Sequence, residues 1–74
     1  MANEKRIEKL RKLIRAQEAH TRMMILHDPE MTSIPASKRI ASVFRAELAH
    51  LEAGKTRTSF DLNAASAAAR AEFR

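Results

Sequence analysis

Residues 7–24 read IEKLRKLIRAQEAHTRMM, with Ile7, Leu10, Ile14, Gln17, Thr21 and Met24 set apart by three and four residues in strict alternation. That is the a/d rhythm of a helix seam. A strand would repeat every second residue, so the phase alone selects a helix with one stripe to cover. Gln17 and Thr21 soften the middle of the stripe, and Leu13 widens it on one flank. No Gly or Pro interrupts the surrounding segment, so the pattern predicts one continuous helix over 3–27. Glu8 with Lys12, and Glu18 with Arg22, stand four apart in the favourable order and are expected to pair along its surface.

Beyond this helix the punctuation is clear. A residue before proline is biased away from the helical region, so Asp28-Pro29 ends the first helix near His27. Asp28 also suits a cap, with Pro29 opening a short turn. Residues 28–34 therefore read as the connection of an antiparallel helical hairpin, with Met31 and Ile34 folded inward. A second helix is predicted over 35–53, closed by Gly54 one position past its end. Helical spacing places Ile40, Val43, Phe44, Leu48 and Leu51 on one face, with Lys38, Arg45 and Glu52 opposite. Residues 54–61 are rich in Thr and Ser and read as a linker. A third helix over 62–73 rests on alanine propensity, with Asp61 or Ser59 as its cap. Its narrow face carries Leu62, Ala65, Ala69 and Phe73. The expected fold is all-α: an antiparallel helical hairpin plus a short C-terminal Ala-rich helix. It forms one small domain over 1–74 that assembles as a homo-oligomeric helical bundle.

Composition excludes several classes of function. The chain has no Cys, which removes disulfide scaffolds, zinc ribbons and thiol nucleophiles. Its single glycine leaves no glycine-rich phosphate cradle, and Gly54-Lys55-Thr56 lacks the earlier glycine that a P-loop needs. No apolar run approaches a membrane span and no secretory leader is apparent, so a cytoplasmic protein with no membrane partner is expected. At 74 residues, the gain from apolar burial and the entropy cost of ordering nearly cancel. Self-association is the natural supplement. The interface residues expected for it are Ile7, Leu10, Leu13, Ile14, Gln17 and Met24 of the first helix, with Ile40, Phe44, Leu48 and Leu51 of the second.

Charge suggests a second kind of surface. Lys and Arg total 14 against 9 Asp and Glu, a formal charge of +5. Arg11, Lys12, Arg15, Arg22, Lys55 and Arg57 are the candidate contacts to nucleic acid or to an acidic partner. Glutamates interleave with the arginines of the first helix, and no aromatic lies among them to stack on a base. A helix-turn-helix needs a turn of three or four residues, whereas Gly54 to Asp61 is longer. His20 and His27 stand two turns apart, about 10 Å, too far to chelate one ion, and read as interface histidines beside Gln17 or Thr21. Glu47-Leu48-Ala49-His50 has the Glu-x-x-His spacing of carboxylate-bridged di-metal bundles, with Glu18 as the extra carboxylate. Glu18, however, lies about 90° from the apolar centre of its helix, towards water. No cofactor and no metal are expected. Met23, Met24 and Met31 gather with Ile25 and Leu26 near the connection, as core or as an adaptable surface.

The function these readings favour is a non-enzymatic, small, basic α-helical protein–protein interaction or adaptor module. Its expected partners are itself and an unidentified protein assembly. A nucleic-acid-binding regulator is the alternative, and a di-metal bundle a remote one.

Overall fold

The computed structural model describes residues 2–74. Three α-helices account for most of it: α1 (Ala2–His27), α2 (Ile34–Glu52) and α3 (Leu62–Glu72). No strand occurs among the described residues. Helix α2 starts at Ile34, one residue earlier than its spacing predicts, with Pro35 in the first turn, where its missing N–H has no helical acceptor to lose. The segment read as a plain linker holds a 3₁₀ turn, Arg57–Ser59.

Local chemistry explains each boundary. At the end of α1 the Asp28 N–H still reaches the Met24 carbonyl at 2.8 Å, while its own carboxylate accepts the Glu30 N–H at 3.1 Å. This Asx turn reverses the chain and sends Ile34 into the core, 6% exposed, with Met31 half-buried. Past α2, Gly54 sits at φ +83°. Its N–H bonds the Leu51 carbonyl at 3.0 Å, and the Lys55 N–H bonds the His50 carbonyl at 3.4 Å, the paired bonds of a Schellman stop. No atom lies within 4 Å of where a Cβ would stand, so the backbone hand rather than space calls for glycine. Of the two candidate caps for α3, Asp61 takes the role and accepts the Ala64 N–H at 3.0 Å. The far end of α3 is tied by Arg39, whose guanidinium donates to the Phe73 carbonyl at 2.6 Å.

Helix α2 lies between the other two, packing against α1 on one side and α3 on the other. The extents, 41 × 23 × 13 Å, describe a layer about one helix thick. Its core is a line rather than a sphere: Leu10, Ile14 and Met24 from α1, Ile34, Ala41 and Leu51 from α2, and Ala69 from α3. Leu10 is the one large side chain wholly shielded from water among the described residues. The α2 face that meets α1 is rotated from the one expected. Ser37, Ala41 and Glu47 are buried while Ile40 is 46% exposed. Arg45 and Glu52, expected opposite the apolar face, bridge to α1 instead. Long charged side chains can flank a narrow seam of small residues such as Ser37 and Ala41, and this moves the contact stripe by part of a turn.

Candidate interaction surface

The seam between α1 and α2 carries polar groups at defined heights. Midway, the Gln17 amide donates to Ser37 Oγ at 2.7 Å, and the Thr21 and Ser37 hydroxyls share a hydrogen bond. The Thr21 hydroxyl also reaches the Gln17 carbonyl at 2.9 Å. Every buried side-chain polar atom described has a partner, which buried polar groups require. Towards the other end, Arg6 grips Glu47 with two bonds of 2.6 and 3.1 Å. The two side chains are 20% and 10% exposed. Hydrogen bonding from Arg6 holds the Glu47 carboxyl below the usual carboxylate range against the opposing effect of burial, and the Arg57 guanidinium 3.9 Å away adds to it.

A second set of ion pairs lies on the opposite flank of the same seam. Arg11 bonds Glu52 at 2.9 Å, and Arg45 bonds Glu18. These pairs are seven residues apart on both helices, so they recur after two turns and close that flank with charge. Glu18 is thus neither free in water nor paired with Arg22, as its position in the sequence suggested. It is drawn across the seam by Arg45. The Glu8–Lys12 pair does form, at 3.5 Å.

The flank marked by Arg6–Glu47 is different. Seven residues on from Arg6 is Leu13, and seven back from Glu47 is Ile40. The heptad position that would hold the next ion pair is therefore apolar on both helices. Ile40 also lines a groove of about 380 Å³ between α2 and α3, with Ala36, Val43, Phe44 and Ala69 and the polar Arg39, Ser66 and Arg70. A second groove, of about 540 Å³, has Glu18, Arg22, Lys38, Arg45 and Glu72 in its lining together with Thr21, Ala41, Ser42 and Phe73.

Of the residues expected to form an interface, Leu10, Ile14, Met24 and Leu51 are buried within the single chain. Ile7, Leu13, Gln17, Phe44 and Leu48 are half-buried, and Ile40 is open. Of the six candidate cations, Arg11 is held by Glu52, Lys12 by Glu8, and Arg57 lies near Glu47. Arg15, Arg22 and Lys55 are exposed and have no carboxylate in salt-bridge range among the described residues. Lys55 accepts an amide bond from Asn3 at its carbonyl, 3.0 Å. His20 and His27 are exposed. Met24 is core, whereas Met23 and Leu26 are 65% and 80% exposed on the outer side of α1.

The Glu-x-x-His pair is divided between two structural tasks. Glu47 receives Arg6, while His50 Nε2 contacts the Thr56 carbonyl at 2.8 Å and Ser59 Oγ at 2.9 Å and packs edge-on against Phe60. Among the described residues no group of three His, Cys, Asp or Glu is placed to hold an ion. No described helix is long and apolar enough to cross a membrane. The Arg6–Glu47 clamp escaped the sequence reading. Its signal was a carboxylate one turn from Leu51 on an otherwise apolar flank, a position that an acid occupies at low cost only beside a cation. No family model, curated protein or solved structure matches this chain.

Proposed function

We propose that this chain is a non-enzymatic, basic, all-α interaction module that self-associates and docks on a larger macromolecular assembly. Its working form is an antiparallel helical hairpin, α1 with α2, carrying α3 on the outer side of α2. The observation that supports this is surface in excess. The chain exposes 5430 Å², whereas a compact monomer of its mass exposes about 4,600 Å². Met23, Leu26, Ile40 and Leu62 are among the apolar side chains left open. A layer one helix thick cannot cover both broad faces, and a partner completes it. The test is sedimentation across a range of concentrations, alone and with cell extract. Concentration-dependent assembly is expected, and a robust single chain at every concentration overturns the reading.

A second reading, a nucleic-acid-binding regulator, is favoured by one feature: Arg15, Arg22 and Lys55 face solvent with no carboxylate partner among the described residues. Engagement of Arg11 and Lys12 by glutamates weighs against it. A duplex mobility shift that falls steeply with salt would support it, and no binding at about 50 mM salt would leave the first reading standing.

A further inference from the structure

We infer that the outer side of α1, from Ala16 to Leu26, docks an acidic amphipathic helix of another protein. The apolar stripe of that helix meets Ala19, Met23 and Leu26, and its glutamates meet Arg15 and Arg22. This partner deepens the docking half of the function proposed above, and rests on it, while asking nothing of self-association.

Exposure and spacing set this side apart. Leu26 and Met23, 80% and 65% exposed, are the most open of the large apolar side chains described. With Ala16 and Ala19, also exposed, they follow one another by three, four and three residues. That is the rhythm of the stripe that packs on α2, repeated on the side turned away from it. The alanines let a second helix approach closely, and Met23 and Leu26 supply the apolar area.

The charges beside the stripe decide its occupant. Arg15 and Arg22 border it on one side and His20 and His27 on the other, the positions from which paired helices select a partner by charge. Neither arginine has a carboxylate in salt-bridge range among the described residues. Glu18, the one acid between Ala16 and Leu26, is drawn away to Arg45 on α2. Asp28 and Glu30 follow only in the turn, where the Asp28 carboxylate accepts the Glu30 N–H. A second copy of the chain offers these arginines only arginine or histidine, whichever way the two helices run. A helix with glutamates beside its own stripe pairs with both. An anionic lipid surface is the competing occupant, but it gains only two large side chains here and no aromatic anchor.

The probe is a synthetic three-heptad peptide with leucine at its core positions and glutamate on both flanks, where repulsion keeps it from pairing with itself. Fluorescence anisotropy should show it binding the intact chain. Leu26→Ser should weaken that binding by about tenfold, and Arg15→Glu with Arg22→Glu by about tenfold or more. Ile40→Ser, on α2, should change it by less than about twofold, and a peptide with lysine in place of glutamate should bind at least about tenfold more weakly. The substituted α1 side chains are all exposed, so helix content by circular dichroism should be kept in each variant. Peptide binding unchanged in both α1 variants overturns the site. Loss of self-association in Leu26→Ser puts a second copy there and overturns it too. Phosphatidylglycerol vesicles that sediment the parent chain but not Leu26→Ser, with the peptide unbound, overturn it in favour of lipid. No peptide binding beside a stable complex in cell extract overturns this partner and leaves docking standing. Neither peptide binding nor a complex in extract overturns both.

Discussion

The two seams that meet on α2 are built on different principles. Against α1, α2 uses large side chains and buried polar pairs: Leu10, Ile14 and Leu51 pack, Thr21, Ser37 and Gln17 bond, and Arg6 clamps Glu47. Against α3 it meets a helix whose only buried side chain is a methyl group, Ala69. Small residues bring backbones close but remove little apolar area from water, so the second seam holds weakly for its length. The contrast shows how one chain can carry a firm half and a loose half. Firmness follows the size of the buried groups and the specificity of the polar ones, not the amount of helix.

The largest blow to that contrast comes at the firm seam. Leu10→Ala should cost about 2–5 kcal/mol, read from denaturant melts, and should bring the two halves to similar stability. Glu47→Gln should cost about 1.5–3 kcal/mol by removing the charged acceptor of Arg6. The same pair sets a pH dependence. Because the folded-state pKa of Glu47 lies below its ordinary value of 4.5, its contribution is complete above about that pH. It fades as pH falls through the lowered value, so thermal stability should drop on acidification below 4.5 in the parent and drop less in Glu47→Gln.

At the loose seam the effects should be smaller and local. Ala69→Leu should overpack the α2/α3 contact and cost about 1–3 kcal/mol of docking. Hydrogen exchange should then accelerate in α3 while α1 and α2 keep their protection. Asp61→Ala removes one cap bond and should cost about 1 kcal/mol, again visible in α3 alone. If Asp61→Ala instead lowers protection across all three helices, the division into firm and loose halves is wrong.

The sequence displayed some of this architecture and hid the rest, for identifiable reasons. The three-four spacing from Ile7 to Met24 fixed α1 because unbroken periodicity over many turns has one physical reading. Gly54 and Asp61 marked their ends because left-handed backbone and orphan N–H groups each admit few residue types. The face that α2 turns to α1 was less legible. Hydrophobicity ranks Ile40 above Ser37 and Glu47, yet the latter two are buried because Gln17, Thr21 and Arg6 supply their bonds from a helix 16 to 41 residues away in sequence. Periodicity within one helix carries no record of what a distant helix offers. Glu18 was misjudged for the same reason, since its partner Arg45 lies on α2.

The order of the layer has a further consequence for how the chain acquires it. Each seam joins helices that are neighbours along the polypeptide, α1 with α2 and α2 with α3, so no distant segment must be found before structure is rewarded. Helical chains with such local topology reach their native state in microseconds to milliseconds. The α1–α2 pair is complete by Glu52, before α3 begins at Leu62, so a chain leaving the ribosome can settle its stronger part first.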